Sequence, residues 1–79
     1  MKNNFVRENE IPQRTITEGN KTYLCYPDYG VTEKATAGWA VELIDKTDEN
    51  DVPMLWAGGT KDKIHKIDNL SSLTFTTLK

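Results

Sequence analysis

The chain has 79 residues and a formal net charge of −2. A chain of this length holds at most one small hydrophobic core, and its slightly acidic balance argues against a generic DNA-binding domain, which would be clearly basic. Cys25 is the only cysteine and His65 the only histidine, so an intrachain disulfide and a Cys/His zinc site are both excluded. We therefore expect the domain to gain stability from association with a partner.

The first twelve residues are polar and show no hydrophobic period. They predict a flexible N-terminal arm over 1–12, followed by a single small β domain over 13–79. An alternative interpretation is an arm that docks on a neighbouring subunit, with Phe5 and Val6 as its anchors. No signal peptide is expected, because no apolar run follows the basic start. No stretch approaches the roughly 18 apolar residues of a membrane helix.

A first hairpin is predicted around Gly19 and Asn20, which tolerate the positive φ that tight turns require. Its strands are expected over 15–17 and 22–26, where β-prone residues cluster. Pro27 ends the second strand because it cannot donate to a ladder. A polar loop is expected after this proline.

A second hairpin follows a polar loop that ends near residue 38. Residues 39–44 predict a strand, in which successive side chains point to opposite faces, and Trp39, Val41 and Leu43 are expected to face the core. After a polar turn, a returning strand is predicted over 52–57. Its predicted core face consists of Val52, Met54 and Trp56, with Leu55 on the opposite face.

The stretch 58–68 holds a glycine pair, three lysines and the only histidine. It does not match a Walker A loop, because Asp62 stands after Lys61 where a Ser or Thr is required. The pattern predicts a turn and a short helix capped by Thr60, with Ile64 and Ile67 buried. A last strand follows within 71–79, with Leu73 and Phe75 on one face and Thr74 and Thr76 on the other. The predicted fold is mainly β: a small five-stranded barrel or sandwich with SH3-like strand order and one short helix before the last strand.

The lysines of this stretch also allow a basic patch near an aromatic side chain, as in proteins that bind single-stranded nucleic acid. Its members would be Lys61, Lys63, His65 and Lys66. Neighbouring aspartates dilute the patch, so nucleic acid is a less expected partner than protein. No nucleophile motif or calcium-loop pattern is present, and we expect no catalytic, cofactor-binding or metal-binding residues and no enzymatic activity.

Four short motifs run through the second half of the chain: W-A-V-E-L-I-D, W-A-G-G, D-K-I-H-K-I-D-N and L-T-F. In this order they resemble a pattern of short proteins encoded by tailed bacteriophages. The matching positions lie between 39 and 76 and are Trp39, Val41, Ile44, Trp56, Ala57, Gly59, Asp62, Lys63, Ile64, Leu73, Thr74 and Phe75. The chain departs from the pattern at His65, where an aromatic is expected, and at Gly58, where an acid is expected.

The resemblance implies a virion component, such as a capsid, head-fibre or tail accessory subunit, found in the virion or in the cytoplasm of an infected bacterium. With the small size of the chain, it predicts a non-enzymatic structural or interaction protein that forms a homo-oligomer or joins a larger particle. Contacts are expected through exposed apolar patches and strand addition at open sheet edges. The candidate contact residues are Phe5, Val6, Ile11, Tyr26, Tyr29 and Leu55. A nucleic-acid-binding module or an inhibitor of a host enzyme is the alternative.

Overall fold

The computed structural model describes residues 4–79, which form one antiparallel sheet of five strands. The strands are β1 (Arg14–Glu18), β2 (Lys21–Pro27), β3 (Trp39–Asp45), β4 (Met54–Ala57) and β5 (Phe75–Thr76). Each strand pairs with the next, so β1 and β5 are the two edges. The mainly β prediction is confirmed. A closed barrel and an SH3-like order are not established by this pairing and stay predictions.

The first hairpin forms where the sequence predicts it. Glu18 pairs with Lys21 across a two-residue turn. Gly19 has a φ of +60°, and no residue other than glycine has a positive φ in the part of the chain that the structure describes. A positive φ at only the first turn position is the pattern of a type II′ turn, whose twist suits a hairpin.

The main core lies on one face of the sheet. The predicted inward residues of β3 all contribute to it, which confirms the phase of that strand. The other buried members come from β2, from β4 and from the segment that follows β4. Together they are Tyr23, Cys25, Trp39, Val41, Leu43, Ala57, Ile67 and Leu70.

The side chains of β4 face the opposite sides of the sheet from those predicted. Leu43 pairs directly with Leu55, and directly opposed residues share a face, so Leu55 packs on the main core. Met54 is 61% exposed, and Val52 precedes the strand. Trp56 is buried on the second face of the sheet. The predicted core face was therefore wrong, because β4 carries apolar residues in both phases.

The predicted helix over 60–69 does not form. Backbone N–H groups of this segment donate to carbonyls of distant segments, at 2.8 Å in each case: Lys63 to Asn4, His65 to Trp39 and Ile67 to Lys34. A helix would need these groups for bonds to the carbonyl four residues earlier. The helical element that precedes β5 is a single 3-10 turn, Leu70–Ser72. Ile67 is 1% exposed, as predicted, whereas Ile64 is 41% exposed.

Residues of the N-terminal arm lie against the second face of the sheet. Val6 donates its backbone N–H to the Lys61 carbonyl at 3.0 Å and forms a buried cluster with Tyr26, Ala40 and Trp56. Glu10 adds an ion pair of 2.7 Å to Lys63. Residues 1–3 lie outside the described part of the chain, and the flexibility of the arm stays a prediction.

Candidate protein-interaction surface

An open cleft of about 660 Å³ lies at the end of the sheet where the arm enters β1 and the chain leaves β2. Two of the predicted contact residues, Ile11 and Tyr29, line this cleft. Ile11 is 71% exposed, and Tyr29 is as exposed as an isolated side chain, at 101%. The structure therefore brings together, at one end of the sheet, two apolar side chains that are 18 positions apart in the sequence.

Backbone hydrogen bonds hold the loop that carries Tyr29. Asp28 donates its N–H to the Gly38 carbonyl at 2.7 Å, and Val31 donates to the Asp28 carbonyl at 3.0 Å. The Asp28 carboxylate accepts hydrogen bonds from the Asn4 side-chain amide and from the Tyr29 N–H. These bonds favour the ionised form and lower the pKa of Asp28. The backbone that carries Tyr29 is thus held in a hydrogen-bonded turn, while its side chain extends into solvent.

The side of the cleft nearest the core contains a buried aromatic and a cation. The Trp39 indole N–H donates to the Glu33 carbonyl at 3.0 Å. The Arg14 guanidinium lies 5.9 Å from the centroid of the Trp39 ring, within the range of a cation–π interaction. Arg14 also donates to the Thr32 carbonyl at 3.5 Å. The cleft therefore combines two exposed apolar side chains with a charged group at its edge.

The other predicted contact residues lie elsewhere. Val6 and Tyr26 are buried in the second-face cluster, and Leu55 packs against the main core. The Tyr26 ring stacks on Trp56 at 5.9 Å, and burial followed by the nearby Glu42 carboxylate raises the pKa of its hydroxyl. These three residues stabilise the fold and offer little surface to a partner.

Phe5 remains half exposed on the arm, with the Arg7 guanidinium 5.8 Å from its ring centroid. It borders a separate open cleft on the second face, lined also by Tyr26, Trp56 and Lys61. Phe5 is therefore not part of the surface formed by Ile11 and Tyr29.

Three of the four residues of the predicted basic patch are engaged within the chain. Lys61 lies 5.6 Å from the centroid of the Trp56 ring, and Lys63 forms the ion pair with Glu10. The Nε2 atom of His65 lies 3.1 Å from the Ala57 carbonyl oxygen. Lys66 is exposed. This arrangement weakens the case for a nucleic-acid surface at these positions.

Sequence reasoning missed the exposed residues Met54, Ile64 and Leu78. Met54 and Ile64 had been assigned to buried faces by a strand phase and a helix that the structure does not have. Leu78 lies near the end of the last predicted strand, and the sequence reasoning assigned it to neither face. Only a pairing register between β3 and β4 would have identified Met54 as exposed.

Among residues 4–79, no group of three or more His, Cys, Asp or Glu side chains could hold a metal ion. Cys25 is buried in the core, and burial raises the pKa of its thiol to about 11, which leaves it protonated at neutral pH. No helix in this part of the chain is long and apolar enough to cross a membrane.

Comparison with known proteins adds no further identification. No family model matches the chain, no curated protein matches it, and no solved structure matches its fold. The resemblance to short proteins of tailed bacteriophages therefore stays a prediction.

Proposed function

We propose that the chain is a small non-enzymatic interaction protein that binds another protein through the cleft between Ile11 and Tyr29. One observation carries this proposal: two large apolar side chains that line one open cleft are exposed to solvent, Ile11 by 71% and Tyr29 completely. Exposed apolar side chains with a polar surround are typical of interaction sites. Tyrosine in particular is enriched among the residues that dominate binding energies.

The particle to which such a subunit would belong is proposed from the sequence resemblance. On that basis the partner is a component of a tailed-bacteriophage virion, and the protein resides in the virion or in the cytoplasm of an infected bacterium. The finer fold, a small barrel or sandwich with SH3-like strand order, is also part of this proposal. Its support is the presence of five strands with one 3-10 turn before the last.

The test is capture of partners by the purified, immobilised chain from a lysate of its native source, with and without nuclease treatment. Wild type is compared with the double variant Ile11→Ser/Tyr29→Ala and with the control Phe5→Ala/Leu78→Ser, which removes exposed apolar side chains elsewhere. Loss of a residue that dominates binding costs about 2 kcal/mol or more, which is roughly thirtyfold in affinity. We expect the site variant, and not the control, to lose a defined protein partner at unchanged melting temperature.

Two results would count against this proposal. Equal capture by the site variant and the wild type would show that the cleft is not the binding surface. Capture that disappears on nuclease treatment would favour the nucleic-acid alternative.

A further inference from the structure

The outer side of β1 is an unpaired sheet edge in the part of the chain that the structure describes, with a charged residue at each end, Arg14 and Glu18. β1 has five residues, whereas the opposite edge strand, β5, has only two. Natural edge strands are commonly shielded by proline, lysine, bulges or a covering segment, because their free N–H and C=O groups invite pairing. β1 contains neither proline nor lysine, and no other strand of the described chain pairs with its outer side.

The hydrogen-bonding phase of β1 follows from its hairpin. The pair Glu18–Lys21 closes a two-residue turn, so alternate residues from Glu18 backwards direct their backbone groups to β2. The Gln13 N–H donates to the Cys25 carbonyl at 3.0 Å, so the alternation ends at Arg14 and Gln13 also directs its N–H to β2. The remaining residues, Thr15 and Thr17, direct their N–H and C=O groups to the open side.

This edge is complementary to itself. In an antiparallel pairing about a twofold axis at Ile16, Thr15 of one copy stands opposite Thr17 of the other, and each such pair can exchange both backbone hydrogen bonds. The same register places Arg14 opposite Glu18 at both ends. Parallel pairing in register would instead bring Arg14 next to Arg14 and Glu18 next to Glu18, which is unfavourable.

The Arg14 guanidinium already lies over the Trp39 ring and donates to the Thr32 carbonyl. A pair with Glu18 of a second copy would therefore use its remaining N–H donors. Arg14 and Glu18 are both exposed. Within residues 4–79 the only ion pair joins Lys63 to Glu10, so neither Arg14 nor Glu18 has a charged partner within 4.0 Å. Ile16, between them, is half-buried and packs against the main core. A second Ile16 opposite it would extend that apolar face across the twofold axis.

We propose that the chain forms a homodimer by antiparallel pairing of β1 with β1, which joins two sheets into one continuous sheet. The partner is a second copy of the chain, and the chemistry that selects it is the reciprocal Arg14–Glu18 pair. Arg14 lies at the edge of the cleft of Ile11 and Tyr29, so the two surfaces adjoin there. Ile16 and Glu18 do not line the cleft. This dimer would account for the self-association that the sequence analysis predicts.

Charge reversal tests the register directly. Light scattering and sedimentation across a concentration series at low salt should show a dimer for the wild type. Glu18→Arg alone and Arg14→Glu alone each create two like-charge pairs, and should raise the dimer dissociation constant about tenfold or more. The double variant Arg14→Glu/Glu18→Arg restores opposite charges and should restore the dimer. Circular dichroism confirms that each variant is folded.

Cysteine cross-linking provides a second test. Ile16→Cys places two thiols opposite each other at a pair that is not hydrogen-bonded, where Cα atoms are about 4.5 Å apart. It should form a covalent dimer under mild oxidation. In the same register Thr17→Cys faces Thr15, which makes it the matched control that should cross-link far more slowly. The native Cys25 is buried and does not interfere.

The outcomes separate this dimer from the proposed partner-binding cleft. A wild-type chain that stays monomeric at all concentrations, or a charge-swapped double variant that fails to recover, overturns the β1 dimer. Either result leaves the test of Ile11 and Tyr29 unaffected. Conversely, a dimer that survives Ile11→Ser/Tyr29→Ala while partner capture is lost supports two separate surfaces.

Discussion

Trp39 and His65 exchange two backbone hydrogen bonds, from Trp39 N to His65 O at 2.9 Å and from His65 N to Trp39 O at 2.8 Å. This isolated bridge attaches the segment after β4 to the first residue of β3. The Nε2 atom of His65 lies 3.1 Å from the Ala57 carbonyl oxygen, which fixes the same segment against the end of β4. The bridge places Ile67, two residues later, over the main core.

The first prediction concerns the two isoleucines of this segment. Ile67→Asp should lower the free energy of unfolding by roughly 2–5 kcal/mol, because it buries an unpaired charge. Ile64→Asp is the matched control, since this side chain is 41% exposed and its change should stay within about 0.5 kcal/mol. Urea unfolding followed by tryptophan fluorescence measures both values.

Comparing the stabilities of these two variants distinguishes an extended segment bridged to Trp39 from a helix. A helix over 60–69 would bury Ile64 and Ile67 on one face, and both aspartate variants would then be severely destabilised. Equal destabilisation would therefore contradict the extended segment and its bridge to Trp39.

The second prediction concerns the arm. Val6 is 7% exposed in the cluster with Tyr26 and Trp56, so Val6→Ala should cost about 1–2 kcal/mol through lost burial of its methyl groups. Phe5→Ala, at a half-exposed neighbour, should change stability by less than about 0.5 kcal/mol. Thermal melts monitored by circular dichroism provide the comparison, and a neutral Val6→Ala would show that the arm does not contribute to the folded state.

The sequence predicts local structure well and contacts between segments poorly. The turn at Gly19 and the phase of β3 follow from residue type and alternation, and both are confirmed. The core-facing side of β4 could not be derived from the sequence. Met54, Leu55 and Trp56 are all apolar, so both faces of the strand carry apolar residues. Only the pairing with β3 shows which face packs on the main core. The segment after β4 has helical spacing, but its N–H groups bond to distant carbonyls that no local pattern reveals.

For the candidate site too, the sequence indicates individual residues but not which of them lie together. Ile11 and Tyr29 could be singled out as apolar residues in polar surroundings, but their position at one cleft depends on how the arm enters β1. The sequence indicates Val6 as a contact residue because it is one of the few apolar residues of the arm, and Tyr26 because it lies beside the long loop. The arm instead covers part of the second face and buries both of them.

The third prediction compares two glycines in the left-handed region. Gly59 has a φ of +66°, and a Cβ there would meet the Lys79 and Thr76 side chains and the Thr77 carbonyl oxygen at 3.0 Å. Gly59→Ala should therefore cost about 2–3 kcal/mol from backbone strain and crowding. Gly30 has a φ of +80° and open space around it, so Gly30→Ala should cost only about 1 kcal/mol. Melting temperatures measured side by side give the order, and a reversed order would contradict the packing of the C-terminal residues on Gly59.

The last prediction concerns stability at alkaline pH. Burial raises the pKa of the Cys25 thiol from its ordinary value of 9.0 to about 11, with Arg14 and Lys34 opposing the shift. Below pH 9 the thiol is protonated in both states and has no effect. Between pH 9 and 11 the unfolded chain loses this proton first, so the free energy of unfolding falls as the pH rises. Burial also raises the pKa of Tyr23 and Tyr26, which should steepen the fall above their ordinary value of 10.0.

Urea unfolding at half-unit pH steps from 7 to 10.5 measures this dependence, and Cys25→Ala is the control that removes the thiol. The variant starts from a lower stability, because alanine leaves a small void in the core. Its fall should nevertheless begin later, near the titration of the tyrosines. Native Cys25 should also react slowly with a thiol reagent at pH 8 and rapidly once urea unfolds the chain. An alkaline profile that is identical with and without the thiol, together with fast labelling of the native protein, would show that Cys25 is accessible and that β2 is not packed as described.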